Sequence, residues 1–204
     1  MSRDLPARLL VVTDRHGSDR PLTETVQACL DGGARWFWLR DRDLDPQSRR
    51  DLALELIPLV RAAGGTLTVG GDATLAEDID ADGLHSSMDR LAPGAGPSRL
   101  VGASAHGRED IRRAAEAGAD YVTLSPVFST ASKPGYGPAL GLSALGEAAG
   151  LGVPVVALGG IDPERAGECL RRGAAGVAVM GALMRASDPA AAARRFVEAL
   201  AEAT

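Results

Sequence analysis

Eight short apolar runs, most of them rich in β-branched residues, recur along the 204-residue chain and constrain its fold more than any other feature. Most are too short for helices and too continuous for half-exposed strands, which is typical of parallel strands buried on both faces. Stretches with helical spacing lie between most of them. The sequence therefore predicts one (β/α)8 TIM barrel over residues 1–204, an α/β fold, with a doubly wound open sheet as the alternative. The runs are Leu9–Thr13, Trp36–Leu39, Thr66–Val69, Gly83–Leu84, Leu100–Gly102, Tyr121–Leu124, Val153–Leu158 and Gly176–Met180.

Five amphipathic stretches are predicted helices: Leu22–Leu30, Arg50–Ala63, Glu109–Ala117, Pro163–Arg172 and Pro189–Ala203. Glycine follows the first four, as is expected just past a helix end. The fourth unit is the weakest, because Ser86–Pro97 contains proline and glycine and offers little helix. No G-x-G-x-x-G motif follows the first run, which disfavours a dinucleotide-binding sheet.

Composition excludes several classes of protein. The formal net charge is −5, which argues against a protein held to nucleic acid by bulk positive charge. No apolar run approaches the ~18–20 residues that span a bilayer, and no charged-then-apolar leader opens the chain. We therefore expect a cytoplasmic protein with no nucleic-acid or membrane partner, and the sequence leaves open whether it is a monomer or a homo-oligomer.

Glycines after the last two runs predict a phosphate site. In TIM barrels the active site forms at the carboxyl ends of the strands, and phosphate often binds after strands seven and eight. Gly159 and Gly160 follow the seventh run, and Met180 and Gly181 close the eighth. Glycine lets backbone N–H groups approach phosphate oxygens, although a tight turn would also use it. The predicted ligand is a phosphorylated small molecule.

Basic and hydroxyl side chains follow the earlier runs. Arg40 and Arg42 flank Asp41 and can grip a phosphate, diphosphate or carboxylate bidentately; the alternative is a solvated loop with weak ion pairs. Ser104 is a candidate phosphate donor. His106, two residues later, could transfer protons or only hydrogen-bond a neighbouring loop. The role of His85, directly after the fourth run, is left open.

Lys133 is the only lysine among 22 basic residues. Because the chain uses arginine elsewhere, a compact ammonium at this loop position suggests a role that a planar guanidinium fills badly. The alternative is a chance survivor on a solvated loop.

Several motifs in order along the chain carry a family resemblance. They are VTD (12–14), LRDR (39–42), DGLHSS (82–87), VGASAH (101–106), ADYVTLSPVFSTASKPGYGPALGL (119–142), VPVVALGGI (153–161) and GAAGVAVMGAL (173–183). Together they resemble the superfamily of thiamine phosphate synthases and TenI-like thiazole tautomerases. The resemblance implies a (β/α)8 barrel that binds a thiazole phosphate. By position, Arg40, Ser104, Thr130 and Lys133 match the anion-binding groups of the family, and Gly160, Met180 and Gly181 match its thiazole-phosphate loop.

The chain departs from the synthase pattern, in which Mg²⁺ holds a diphosphate. Trp38 replaces a glutamine, Arg42 a lysine, and Gly70-Gly71 an asparagine–aspartate pair whose aspartate is a metal ligand. The second metal aspartate falls at Arg90, with Asp89 one position away. Mg²⁺ in proteins is usually held by at least one or two carboxylates, so only Asp72 or Asp89 is left as a substitute ligand.

The tautomerase branch tolerates these losses, and the arginine pair after the second run is similar to that branch. The histidine that this branch carries before Val-Phe is Pro126 here, so the acid–base role would pass to His106 or His85. We therefore expect a thiazole tautomerase, an isomerase without metal or cofactor, with His106, Lys133 and His85 as catalytic residues. The alternatives are a Mg²⁺-dependent thiamine phosphate synthase, a transferase, and a non-catalytic phosphate-binding or regulatory barrel.

Overall fold

The computed structural model describes residues 4–91, 99–130 and 138–203. Eight parallel strands pair in chain order and close, with β8 beside β1, so the prediction of a (β/α)8 barrel is confirmed and the open sheet is wrong. The strands are β1 Leu9–Val12, β2 Trp36–Leu39, β3 Thr66–Gly70, β4 Gly83–Ser87, β5 Leu100–Ala105, β6 Tyr121–Leu124, β7 Val155–Leu158 and β8 Gly176–Val179.

Helices follow most of the strands. They are α1 Leu22–Asp31, α2 Pro46–Ala62, α3 Ala73–Asp78, α4 Arg108–Glu116, α5 Gly141–Ala148, α6 Pro163–Arg171, α7 Gly181–Met184 and α8 Pro189–Glu202. The five predicted helices are present, while α3, α5 and α7 are too short to show a clear period in the sequence. In the fourth unit a 3₁₀ turn stands at Met88–Arg90. Within the described ranges, no helix is long and apolar enough to cross a membrane.

Asp45 explains why α2 begins four residues before its predicted start. Its side chain accepts hydrogen bonds from the N–H groups of Gln47 and Ser48, and Pro46 occupies the first turn. Such a cap satisfies donors that the helix leaves unpaired. Asp162 and Asp188 cap α6 and α8 in the same way, as their positions before proline indicate.

Alternate residues of each strand pack into two separate apolar regions. In β1, Leu9 and Val11 contact the surrounding helices, whereas Leu10 and Val12 fill the barrel interior. The interior also holds three large aromatic side chains, Trp36, Trp38 and Tyr121, all of them buried. The interior is therefore a packed core, and any ligand site must lie above it at the mouth.

Glycines make room for these aromatic rings. A Cβ on Gly102 would overlap the ring of Tyr121, and a Cβ on Gly70 would lie 2.5 Å from Nε1 of Trp38. This indole N–H is buried and has no hydrogen-bond partner in the described part of the chain. Trp38 and Gly70 thus form a coupled pair: the indole ring fits at position 38 because glycine at position 70 has no side chain.

A row of hydrogen-bonded polar side chains, here called the buried polar chain, crosses the same interior. His85 accepts or donates a hydrogen bond at each ring nitrogen, with Nδ1 3.0 Å from the Tyr121 hydroxyl and Nε2 3.0 Å from Oγ of Ser104. Its ring also stacks on Trp38, with centroids 4.0 Å apart. Burial, with a smaller contribution from the positive charge of Arg42, lowers the pKa of His85 to about 3. His85 is therefore a neutral imidazole at physiological pH.

The Trp38–Gly70 pair predicts a non-additive effect on stability. We expect Gly70→Ala to destabilise the protein by ~1–3 kcal/mol, because the added methyl group overpacks the interior. In a Trp38→Gln background the same substitution should lower the unfolding free energy much less, because the indole ring is gone. Chemical denaturation of the four proteins in a double-mutant cycle measures the coupling. Gly146→Ala in α5 is the matched control, since its Cβ would meet only a carbonyl oxygen 3.8 Å away. If Gly70→Ala lowers the unfolding free energy equally in both backgrounds, the Trp38 ring is not what excludes a side chain at position 70.

Burial of neutral His85 predicts sensitivity to acid. The unfolded chain takes up the imidazole proton near its ordinary pKa of ~6.5, whereas the folded chain does so only near 3. The unfolding free energy therefore falls as the pH drops through this window, by up to ~1.4 kcal/mol per pH unit. We expect His85→Gln to flatten the dependence of Tm on pH between about 6 and 4. A wild-type slope in His85→Gln would contradict the buried neutral ring.

Candidate functional site

A cavity of about 840 Å³ opens at the carboxyl ends of the strands. It brings together nine of the residues that the sequence singles out: Arg40, Arg42, Ser104, His106, Thr130, Gly159, Gly160, Met180 and Gly181. His85 lies beneath this cavity, fully buried. Lys133 lies outside the described residues, so its predicted role stays a prediction.

The glycine turn after β7 is held in a conformation that other residues rarely adopt. Gly159 and Gly160 have φ values of +106° and +65°, and a side chain at position 160 would overlap the carbonyl group of Ser129. Arg165 fixes the turn from outside, because its Nη1 donates to the Gly160 carbonyl oxygen at 2.7 Å while the guanidinium lies over the Phe128 ring. The turn therefore presents rigid backbone to the cavity, which suits close contact with a phosphate.

The segment after β8 adds backbone donors and a cation. The N–H groups of Gly181 and Ala182 make no hydrogen bond to any described residue, as is normal for the first residues of a helix. Arg185, one turn later, also lines the cavity, and a Cβ on Gly181 would overlap its guanidinium. Arg185 is not among the residues singled out from the sequence, although its spacing of four from Gly181 places it on the same helix face.

A buried carboxylate organises the loop after β2. Asp41 is only 4% exposed, and its carboxylate accepts hydrogen bonds from the Thr13 hydroxyl at 2.5 Å and from the Arg15 N–H at 2.7 Å. The Thr13 oxygen in turn accepts the N–H of Arg40 at 2.9 Å. The alternative of a solvated loop with weak ion pairs is therefore wrong for Asp41, which anchors the segment that carries both arginines.

The two arginines reach different parts of the mouth. Arg40 extends toward β8, where its Nη1 lies 3.9 Å from the sulfur of Met180. Arg42 lies against Gly71 at the end of β3, where a Cβ would come within 2.9 Å of its Cζ. One arginine thus neighbours the glycine loops, while the other faces the strand ends on the opposite side of β2.

Two histidines at the wall of the mouth already have partners. Nδ1 of His106 lies 2.9 Å from the Ser125 carbonyl oxygen, so it donates a hydrogen bond to the neighbouring loop. This hydrogen bond is the second of the two roles considered for His106 from the sequence. Nε2 of His16 lies 2.9 Å from the Asp43 carboxylate. Hydrogen bonds from His16 and then Arg15 hold the pKa of Asp43 well below its usual range. Neither His16 nor Asp43 is among the candidate site residues predicted from the sequence.

Ser104 connects the cavity to the buried polar chain. Its hydroxyl lines the mouth and is held at 3.0 Å by Nε2 of His85 from below. His85 is placed to orient this hydroxyl rather than to touch a ligand, because the ring itself is fully buried.

Asp72 and Asp89, the two carboxylates left as substitute Mg²⁺ ligands, have different surroundings in the structure. Asp72 caps α3 by accepting the Leu75 N–H at 2.9 Å, and its other oxygen faces Arg49 at 3.4 Å. Asp89 is exposed on the 3₁₀ turn. Among the described residues, no three histidine, cysteine or acidic side chains are grouped so that they could hold a metal ion.

Comparisons with known proteins agree with this architecture. The family model described as thiamine monophosphate synthase matches residues 9–183. A thiamine-phosphate synthase of Roseiflexus sp. (strain RS-1) is 40% identical over 200 residues, covering 95% of this chain and 85% of the relative. Its counterpart in Moorella thermoacetica is 37% identical and is covered to 95% on both sides.

A solved structure gives the same result. Thiamine phosphate pyrophosphorylase from Pyrococcus furiosus superposes with a TM-score of 0.86 at 29% identity, and the match covers 96% of both chains. The fold, the motif order and the sequence identity over nearly the whole length agree with one another. This chain therefore belongs to the thiamine monophosphate synthase family.

Proposed function

We propose that this chain is a transferase that joins a pyrimidine diphosphate to a thiazole phosphate and releases diphosphate. The observation that carries the proposal is the make-up of the cavity wall, which offers cations and hydrogen-bond donors on two separate segments. Departure of a diphosphate requires stabilisation of growing negative charge, and fixed donors and cations supply it. The family membership and the synthase names of the curated relatives support the same reaction.

Each segment suits one substrate. The turn at Gly159-Gly160, with Gly181 and Arg185, would bind the phosphate of the thiazole through backbone N–H groups and one guanidinium. Arg40 and Arg42 would bind the diphosphate of the pyrimidine. In the reaction a carbon–nitrogen bond forms between the two rings while the carbon–oxygen bond to the diphosphate breaks, and the diphosphate leaves with the electron pair.

One of the catalytic residues that we expected for an isomerase lies away from the cavity. An isomerase that moves protons needs a titratable group at the reacting atoms. His85 is fully buried, with a pKa lowered to about 3, whereas His106 lines the cavity and donates from Nδ1 to the Ser125 carbonyl. The curated relatives that match are synthases, so the tautomerase expectation gains no support from them, and the synthase alternative is favoured.

The direct test is an assay with both substrates. Purified protein, incubated with the pyrimidine diphosphate and the thiazole phosphate, should form thiamine phosphate and one equivalent of pyrophosphate, both measured by chromatography. Incubation with the thiazole phosphate carboxylate alone should leave its isomer ratio unchanged. Isomerisation without condensation would reinstate the tautomerase. Binding of both ligands without any turnover would indicate a non-catalytic barrel.

A second test places the thiazole phosphate. We expect Gly181→Asp to weaken binding of the thiazole phosphate by about ten- to a hundredfold, the loss of one charge-assisted contact, because the new carboxylate would pair with Arg185 and repel the phosphate. Calorimetry measures this affinity. Gly150→Asp is the matched control, since Gly150 is exposed and its Cβ would meet no atom within 4 Å. Unchanged affinity in a folded Gly181→Asp protein would show that the phosphate binds elsewhere.

A further inference from the structure

Guanidinium groups, rather than carboxylates, surround the end of β3. Arg49 donates from Nη2 to the Gly70 carbonyl oxygen at 2.7 Å, and Nη1 of Arg90 lies 3.5 Å from the carbonyl oxygen of Gly71. The guanidinium of Arg42 packs on Gly71, whose φ of +68° and nearby arginine both disfavour a side chain. Position 71, where the synthase pattern has a metal-binding aspartate, is therefore a glycine that faces an arginine.

Arg42 is the member of this cluster that lines the cavity. Arg49 is buried and bound to backbone and to Asp72, whereas the guanidinium of Arg42 makes no hydrogen bond or ion pair within residues 4–91, 99–130 and 138–203. Partial desolvation and the positive charges of Arg49, Arg40 and Arg90 lower the pKa of Arg42. Like charges in such proximity favour the binding of an anion among them.

The two carboxylates beside Arg49 at the end of β3, Asp41 and Asp72, are already engaged by the protein. Both oxygens of Asp41 accept hydrogen bonds from the protein, and Asp72 caps α3. The two internal stretches outside the described residues, 92–98 and 131–137, contain no aspartate, glutamate, histidine or cysteine in the sequence. A magnesium ion held against phosphate oxygens usually needs at least one or two carboxylates, and these are not provided at the end of β3.

We propose that Arg42, together with Arg40, binds the diphosphate group of the substrate directly and replaces the divalent metal that the synthase pattern implies. The inference rests on the proposed function for the identity of the substrate. A guanidinium presents a planar fork of donors that matches two phosphate oxygens at once, and it remains charged at any physiological pH. Arginine thereby supplies both the charge and the orientation that a bound cation would give.

Binding of inorganic pyrophosphate tests the inference without requiring turnover. In calorimetry with EDTA present, the wild-type protein should bind pyrophosphate, and excess Mg²⁺ should not tighten the binding. Arg42→Ala should weaken it at least tenfold, and Arg42→Lys should restore only part of the loss. Arg195→Ala is the matched control, because Arg195 is an exposed arginine of α8 away from the cavity. Binding that appears only with Mg²⁺, or wild-type affinity in Arg42→Ala, would overturn the inference.

Gly71→Asp gives an independent variant at the same place. The new carboxylate would neutralise Arg42, so pyrophosphate affinity in EDTA should fall at least tenfold; unchanged affinity would contradict the role of Arg42.

The outcomes also separate the two proposals. Condensation activity that is lost in EDTA and restored by Mg²⁺ would overturn this inference alone. Metal-free, Arg42-dependent binding of pyrophosphate without condensation would overturn the proposed transferase and leave the arginine site standing.

Discussion

The packing of Trp38 in the top layer of the barrel interior is the contact on which the site depends. Its indole fills the space that Gly70 leaves open and stacks on His85 with a centroid distance of 4.0 Å. The stacked, fully buried His85 is neutral and holds the hydroxyl of Ser104 at the cavity floor. The same packing excludes an asparagine-sized side chain at position 70. Trp38 thus shapes the floor of the cavity and packs on the histidine that orients the Ser104 hydroxyl. It also leaves no room at position 70 for the asparagine of the synthase pattern.

Charged side chains of both signs line the mouth of the barrel. The protein carries a formal net charge of −5, and Arg40, Arg42 and Arg185 line the cavity together with Asp14, Asp41 and Asp43. Asp41 makes this arrangement stable, because its buried carboxylate is satisfied by Thr13 and Arg15 and so anchors the loop without neutralising Arg42. The arginines place positive charge at the mouth of an acidic protein, which suits phosphorylated substrates.

Family membership and local chemistry address different questions about this chain. The match to the thiamine monophosphate synthase family over nearly the whole chain establishes the fold. The departures from the synthase pattern lie in β2, β3 and β4 or directly after them, at Trp38, Arg42, Gly70-Gly71 and Arg90. These positions lie side by side in the barrel, so they act as one altered region rather than as scattered changes. The altered region is the part of the site that would face a diphosphate.

The sequence by itself determined the barrel, since eight buried runs alternating with helical stretches leave few other arrangements, and it determined the glycine turns, since glycine marks backbone that must bend or approach a ligand. It could not determine the short helices α3, α5 and α7, which carry too few residues for a period. Nor could it show that His85 is buried beneath Ser104, that Asp41 is an anchor, or that Arg185 and Arg42 pack on Gly181 and Gly71. Those contacts join residues from different strands and loops. Only the closed barrel therefore decides which side chains come into contact and how far each one is exposed to solvent.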